Sequence, residues 1–343
     1  MIDKNNKPTI YDVAKLSGFS SATVSLALSG STKIKETTKQ KIRNAADKLK
    51  YHPNFLARGL VKQKTKTICL IIPDNLNPVF AEITQGVEHI AYSRGYSIIL
   101  CITNEDAKRE KFYLDIMRNN RADGLLIFPT FFPVVQEEAL KLRASNIPFV
   151  IVGRRIEGIT SCYVTADLEL GGYKVADYLI KLGHKKIGII YGVANPDLGK
   201  SRLEGFKRAY LENGIQFNPD LVQGCGYKIY DGYKVAKDFL SLKNRPTALF
   251  AINDLLAIGA LKAIKESGLR VPEDISIAGF DNIEFAYYTD PALTTISLKE
   301  KEMGKAAIEM LIDAIEHTSK DGQSTSILIE PELVVRDSCS EIG

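Results

Sequence analysis

Two hydrophobic patterns divide this chain near residue 66. Up to that point, apolar residues recur every three or four positions in short segments, which is the spacing of amphipathic helices. Beyond it, continuous apolar runs of about five residues alternate with longer amphipathic stretches. The pattern therefore predicts a small helical head followed by a larger body in which strands and helices alternate.

Three helices are predicted in the head. Thr9, with Asp12 three residues later, fits a capping box before the first helix. A break at 17–19 leads into a second short helix, and a third is expected from about 36 to 51. A helix, a short turn and a helix make the helix-turn-helix unit of DNA-binding proteins, although a three-helix module that binds protein has the same pattern. The outward side chains of the second helix are small enough to let it enter a major groove: Ser20, Ser21, Ala22, Thr23 and Ser25.

Charge is distributed unevenly between the two parts. The whole chain has a net charge of +4. Residues 1–66 carry 12 lysines and two arginines against four acidic residues, a net charge of +10, and the remainder carries −6. A basic module joined to a mildly acidic body indicates binding to a polyanion. A solvated lysine-rich terminus would have the same charge, but the helical signals in this segment favour nucleic acid.

The body has the pattern of a doubly wound parallel α/β fold. Its apolar runs predict strands that are buried on both faces, and the amphipathic stretches between them predict crossover helices. The predicted strands are 68–72, 98–102, 125–128, 149–152, 187–191, 248–252 and 275–279. One sheet of ordinary size does not hold so many units, so we expect two lobes that separate near 163–167.

Several other classes of protein are disfavoured. No apolar run approaches the roughly 18 residues of a membrane helix, and the first residues lack a signal-peptide core, so we expect a cytoplasmic protein without membrane contact. The five cysteines and four histidines lack metal-ligand spacing, and we expect neither metal nor cofactor. The segment 192–201 ends like a phosphate-binding loop but has six residues between its glycines instead of four. Nothing predicts an enzyme, because no GxGxxG, GxSxG or HExxH motif is present.

The head and the segment after it resemble a known family. The head segment is TIYDVAKLSGFSSATVS at 9–25, and it is followed by YHPN at 51–54 and ARGL at 57–60. These segments resemble the lactose-repressor/galactose-repressor family of bacterial transcription regulators. Similar motifs continue in order through the body, among them RLEGF at 202–206 and GFDN at 279–282. The resemblance implies a periplasmic-binding-protein-like body with a ligand between two lobes.

The resemblance also implies the domain organisation. The expected domains are a helix-turn-helix head at 1–53, a hinge helix and linker at 54–66, and an effector-binding and dimerisation body at 67–338. Within the body, the first lobe is assigned about 67–163 and 297–323, and the second lobe about 164–292 and 324–338. A hinge helix this short is marginal alone, and we expect it to order on DNA beside its dimer partner.

Roles in DNA binding follow from the family. Ser21 and Ala22 are expected to face base edges, and Leu60 to wedge into the minor groove at the operator centre, where it kinks the duplex. Many members carry a long polar residue at the position of Leu26, which here offers only apolar contact. The expected DNA contacts are Thr9, Tyr11, Ser20, Ser21, Ala22, Thr23, Ser25, Leu26, Asn54, Arg58 and Leu60.

Residues that follow predicted strands supply the expected effector site. Arg202 suits a bidentate clamp on hydroxyls or a carboxylate. Asp281 and Asn253 are suited to bind sugar hydroxyls, and Phe80 to stack on an apolar ring face. The expected site residues are Phe80, Arg154, Arg202, Tyr227, Asn253 and Asp281.

These features predict a dimeric transcription regulator, expected to be a repressor. Its affinity for operator DNA is expected to depend on a small effector, a sugar or related metabolite, in the interlobe cleft. Two alternatives stay open. In the first, the protein is a DNA-binding regulator that responds to a partner protein, as in the family's catabolite-control branch. In the second, it is a solute-binding protein with the same kind of body and no role on DNA.

Overall fold

The computed structural model describes residues 8–29, 31–51, 65–118, 122–156, 162–192, 196–317 and 325–342. They belong to two compact units, the head at Met1–Thr65 and the body at Lys66–Gly343. None of the helices in these ranges is long and apolar enough to cross a membrane.

The head contains three helices around a small apolar core. They are α1 (Ile10–Ser17), α2 (Ser21–Leu28) and α3 (Glu36–Lys48). The capping box forms as expected, because the Thr9 backbone N–H and hydroxyl donate to the Asp12 carboxylate at 2.8 and 2.7 Å. Val13, Val24 and Ile42, one from each helix, are completely buried. The third helix is shorter than predicted, since Lys50 adopts a left-handed backbone with φ of 51°.

The body alternates strands and helices, as the sequence predicts. Its strands are β1 (Thr67–Ile72), β2 (Ser97–Ile102), β3 (Gly124–Ile127), β4 (Phe149–Val152), β5 (Cys162–Ala166), β6 (Ile187–Gly192), β7 (Val222–Cys225), β8 (Ala248–Ala251), β9 (Ser276–Ala278), β10 (Thr295–Ser297), β11 (Ser326–Ile329) and β12 (Glu332–Val334). Its helices are α4 (Pro78–Ser93), α5 (Ala107–Arg118), α6 (Phe132–Ala144), α7 (Leu168–Lys181), α8 (Pro196–Glu212), α9 (Ile229–Ser241), α10 (Asp254–Glu266), α11 (Glu284–Tyr287) and α12 (Glu300–Glu316).

Two parallel sheets form the two lobes, which confirms the predicted fold class. The first sheet has the order β11-β5-β4-β3-β1-β2 and the second has β7-β6-β8-β9. A separate antiparallel pair joins β10 to β12. Strands β3, β4 and β8 are buried along their whole length, as expected for strands covered by helices on both faces.

One predicted boundary is wrong. Residues 324–338 were expected in the second lobe, but β11 pairs with β5 at the edge of the first sheet. Strand β5 likewise extends the first sheet beyond residue 163. The chain therefore passes between the lobes after β5, between β10 and α12, and between β11 and β12. The physical reason is that one edge of β5 would otherwise be unpaired, and the apolar run of β11 pairs with it.

Polar caps begin several helices directly after strands. Asn77 accepts the Val79 backbone N–H before α4, and Asp167 accepts the Leu170 N–H before α7. Because parallel strands all end at one edge of a sheet, these helix starts lie along the edge where α/β proteins bind ligands.

Candidate functional site

The head presents the predicted DNA-contact residues on its surface. Ser20 caps α2 by accepting the Thr23 backbone N–H at 3.2 Å, and Val24 and Ala27 turn inward. Thr9, Tyr11, Ala22, Ser25 and Leu26 are exposed, and Ser21 and Thr23 are partly exposed. The exposed side of α2 is thus made of small residues and one leucine, which suits close approach to a groove. The predicted contacts Asn54, Arg58 and Leu60 lie outside the described residues.

Arg202 is held by contacts on several sides. Its Nη1 donates to the Ile252 carbonyl oxygen at 2.6 Å, and its Nη2 to Asp281 Oδ1 at 3.2 Å. The guanidinium lies over the Phe280 ring, 4.2 Å from the centroid. Among the described residues nothing accepts a hydrogen bond from its buried Nε. The guanidinium is therefore fixed in place and keeps its Nε–H for a further acceptor.

Asp281 is held by backbone geometry as well as by Arg202. Its φ of 108° lies in the left-handed region, and its N–H donates to the Ile296 carbonyl oxygen at 2.8 Å. Burial raises the pKa of its carboxyl to about 6, although the Arg202 charge acts in the opposite direction. The structure thus brings together the two residues that the sequence analysis placed first in the effector site.

Tyr227 lies in the second lobe and is near charged groups of the first lobe. Its hydroxyl donates to the Gly192 carbonyl oxygen at 3.3 Å, and its ring lies against Gly192, where any side chain would overlap it. Burial raises the pKa of the Tyr227 hydroxyl to about 12, and the charges of Arg202, Glu105 and Arg154 also act on it. The last two residues belong to the first lobe, so the two lobes face each other at this point.

Asn253 follows β8, as expected, and lies at the start of α10. Its Oδ1 accepts the Leu256 N–H at 2.8 Å and caps α10, while its Nδ2 donates to the Tyr227 carbonyl oxygen at 3.4 Å. Only 3% of the residue is exposed. Its amide therefore holds Tyr227 and the start of α10. A contact between Asn253 and a ligand stays a prediction.

The first lobe contributes aromatic rings to the same region. Phe80, in the first turn of α4, packs edge-on against Phe128 with ring centroids 5.5 Å apart. Arg154 follows β4, and its guanidinium lies 4.9 Å from the Phe132 ring centroid. A ligand between the lobes would therefore meet aromatic faces on one side and the Arg202–Asp281 pair on the other.

Three buried carboxyl groups near the site were missed. Glu110 is completely buried and accepts the backbone N–H groups of Thr130 and Phe131 at 2.8 and 3.0 Å. Asp254 accepts the Thr295 hydroxyl at 2.6 Å, and Glu300 is 4% exposed with no partner for Oε1 among the described residues. Burial raises the pKa of all three groups. Within the described ranges, no three acidic, cysteine or histidine side chains are grouped as metal ligands.

Comparisons with known proteins identify the chain. Residues 9–54 match the family model of bacterial regulatory proteins of the lacI family, and residues 176–339 match a periplasmic binding protein-like domain. The HTH-type transcriptional repressor PurR of Aliivibrio fischeri (strain MJ11) is 36% identical over 334 residues, which are 96% of this chain and 98% of that protein. The chain belongs to the lacI family. This lacI-family protein is a DNA-binding transcriptional repressor with a helix-turn-helix head.

Solved structures of lacI-family regulators agree with the fold. A complex of the transcriptional regulator CelR with cellobiose is 26% identical, covers 96% of this chain and 99% of its own, and has a TM-score of 0.73. A LacI family transcriptional regulator from Enterococcus faecium with bound ribose is 30% identical, covers 81% of this chain and 100% of its own, and has a TM-score of 0.72.

Proposed function

We propose that this lacI-family repressor changes its affinity for operator DNA when a small polar metabolite binds between its lobes. The observation that carries the proposal is the Arg202–Asp281 pair, which is buried, fixed by the backbone and placed beside aromatic rings. The same two residues supply hydrogen-bond donors and an acceptor at the strand ends. No enzymatic step, metal or cofactor is part of this function.

The site supports a ring-shaped metabolite with hydroxyl or ring N–H donors. Asp281 accepts such donors, and Arg202 keeps its Nε for an acceptor on the ligand. Phe80 and Phe128 offer apolar ring surface on which a sugar or a nucleobase packs. Cellobiose and ribose, the ligands in the two related structures, are sugars.

The test is a selection of bound sequences from a random DNA pool with the full-length protein, at about 150 mM salt. We expect a near-palindromic site to be enriched, and ribose, cellobiose or a purine base to change affinity for that site. If none of these metabolites changes affinity for the enriched site but a protein fraction from cell extract does, the effector is a partner protein and the proposed small metabolite is wrong. Failure to enrich any sequence, with or without metabolites, would contradict the proposal.

Acid should weaken metabolite binding. The pKa of Asp281 is raised to about 6, so the carboxylate is protonated below that pH and loses both its charge pair with Arg202 and much of its capacity as an acceptor. We expect the metabolite affinity measured by calorimetry to fall as the pH is lowered through 6. The protonated form is favoured in the fold, so the contribution of this group to stability decreases as the pH rises through 6.

The variant Asp281→Asn provides the control for this pH dependence. It keeps an acceptor oxygen but cannot titrate, and its metabolite affinity should be low and nearly constant from pH 5 to 8. A wild-type affinity that does not change across the same range would show that Asp281 does not contact the metabolite as a carboxylate.

The protein would act as a homodimer in the bacterial cytoplasm, where its operator lies. Two-fold repressors place one head in each half-site of a palindromic operator. An exposed apolar surface on the first lobe suits the contact between the two subunits. It includes Ile99 and Leu100, which are exposed on the edge strand β2, and Tyr92 of α4, which is 80% exposed. A groove of about 400 Å³ between α4 and β2 adjoins Leu100.

Leu100→Glu should convert the dimer into monomers. A charge at this position would have to be buried against the partner, at a cost of several kcal/mol. Analytical ultracentrifugation at micromolar concentration should show the monomer mass, and operator affinity should fall with it. Leu140→Glu is the matched control, because Leu140 is also exposed but lies on α6, away from α4 and β2. If Leu100→Glu dimerises as well as Leu140→Glu does, the dimer interface does not include Leu100.

A further inference from the structure

Several carboxyl groups lie close to the Arg202–Asp281 pair, at the boundary between the lobes. Glu300 begins α12 three residues after β10, and Ser297 at the end of β10 forms a backbone bridge with Asp281. Asp254, at the start of α10, is completely buried. Helix α12 packs on strands of the first sheet, whereas Asp281 and Asp254 belong to the second lobe. Glu300 therefore lies where the chain passes from one lobe to the other.

Helix α4 adds a further carboxyl group from the first lobe, Glu82. Burial raises the pKa of Asp281 and of Glu300, and the Glu82 charge raises both further. Burial and the Glu284 charge, on α11 of the second lobe, raise the pKa of Glu82 in turn. Because interactions between charges weaken with distance, these side chains face one another across the boundary between the lobes.

Two of these carboxyl groups have cations beside them, and a third has neutral donors. Asp281 pairs with Arg202, whose Nη2 lies 3.2 Å from Asp281 Oδ1. Burial raises the pKa of Glu82, and the Lys301 charge acts in the opposite direction. Asp254 accepts a hydroxyl at 2.6 Å and a backbone N–H at 2.9 Å. The chain itself thus supplies donors or a positive charge to each of these three groups.

Glu300 differs from these three groups. It is 4% exposed, and within the described part of the chain its Oε1 has no hydrogen-bond partner. The neighbouring charges that act on it, from Asp281, Glu82 and Asp254, are all negative. A buried acceptor without a donor is costly, and one that persists in a native fold calls for a partner. The partner that suits Glu300 is a hydrogen-bond donor with a positive charge.

We propose that the effector carries a protonated amino group, which Glu300 binds beside the Arg202–Asp281 pair. This proposal rests on the proposed function, since it requires a metabolite between the lobes. An ammonium group has three N–H donors and a positive charge, and its bonds to a carboxylate are stronger than those of a neutral hydroxyl. Its charge also offsets the repulsion among Glu300, Asp281 and Glu82.

An amino sugar is the class of metabolite that fits all parts of the site. Its amino group pairs with Glu300, and its hydroxyls and ring oxygen bind Asp281 and the Arg202 Nε–H. Its apolar ring face packs on Phe80 and Phe128, whose rings lie edge-on to each other. A sugar with only hydroxyl groups would make the same contacts except the ionic one to Glu300. The difference in affinity between the two sugars therefore measures the contribution of Glu300.

The experiment uses the full-length protein and three sugars that differ at one carbon atom. Glucosamine has an ammonium group there, glucose has a hydroxyl, and N-acetylglucosamine has an amide with an N–H but no charge. We expect calorimetry at pH 7 to give an affinity for glucosamine that is at least about tenfold higher than for the other two. An affinity for glucose equal to that for glucosamine would overturn the inference.

Glu300→Gln is the test variant, and Glu302→Gln is the matched control. Both residues lie in the first turn of α12, so each substitution removes the same charge from the helix start, but Glu302 is exposed. Glu300→Gln should bind glucosamine at least about tenfold more weakly than the wild type and bind glucose about equally well. Glu302→Gln should keep the wild-type preference for glucosamine. Equal preference in the two variants would contradict a contact between Glu300 and the amino group.

Thermal unfolding without metabolite distinguishes a binding role of Glu300 from a structural one. Burial raises its pKa, so the ionised form is disfavoured in the fold and Glu300 lowers stability more as the pH rises. At pH 8, Glu300→Gln should therefore unfold about 2–4 °C above the wild type, and Glu302→Gln close to it. A melting temperature of Glu300→Gln below that of the wild type would show that the carboxylate stabilises the fold, and would overturn the inference.

Failure of the inference is distinguishable from failure of the proposed function. Suppose that ribose, cellobiose or a purine base changes operator affinity equally in the wild type and in Glu300→Gln, and that glucosamine has no effect. The amino group is then wrong and the proposed function stands. If glucosamine and all of these metabolites leave operator affinity unchanged, both are wrong.

Discussion

Arg202→Ala should lower metabolite affinity by at least about 100-fold, because each hydrogen bond to a charged group contributes about 1.5 to 3 kcal/mol. The substitution removes the proposed donors to the ligand and also leaves the Asp281 carboxyl buried without its cation. Operator affinity without metabolite should be unchanged, since Arg202 belongs to the body. Calorimetry for the metabolite and a DNA-binding assay for the operator measure the two effects separately.

The control for this variant is Arg208→Ala. Arg208 lies on the same helix, pairs with Glu169 at 2.7 Å on the surface and is 41% exposed. Its loss should leave metabolite affinity unchanged, as is usual for exposed ion pairs. If Arg202→Ala binds the metabolite as tightly as Arg208→Ala does, Arg202 is not part of the effector site.

Leu60→Ala should weaken specific operator binding by about 50-fold or more, since a leucine wedge, the role expected of Leu60, would support the kink that brings further protein surface onto the duplex. Binding to random DNA should change little, because it depends mainly on phosphate contacts from the basic head. Titrations against the selected operator and against a scrambled sequence of equal length give both affinities. An equal loss of affinity for both DNAs would contradict the wedge role. Val61→Ala is the control for the loss of a neighbouring apolar side chain.

Much of the fold was predictable because its core strands are continuous apolar runs. The seven predicted runs all form strands, and each is covered by helices or paired inside a sheet. Strand β7, Val222–Cys225, was missed because it has a polar residue and a glycine in place of an apolar run. Strand β11 has a clear apolar run, but its sequence does not show which of the two sheets it joins. That depends on which sheet has an unpaired edge strand.

Arg202 and Asp281 were both expected in the effector site, and the structure brings them into contact with each other. A buried charge needs a partner of opposite charge, and Arg202 and Asp281 are partners of each other. The capping role of Asn253 was not predicted, because the same amide that suits a ligand hydroxyl also suits the start of a helix, where it accepts the Leu256 N–H. Glu110 could have been found, since it occupies the apolar stripe that continues through Leu114 and Met117.

The position of β11 affects how the protein is made. The first lobe begins at residue 67, yet its last helix and its edge strand come from 300–316 and 326–329. A ribosome must therefore release almost the whole chain before that lobe can close, whereas the head can fold as soon as its own helices emerge. A chain that stops early would carry a finished DNA-binding unit on an unfinished body, a species able to occupy DNA without responding to any metabolite.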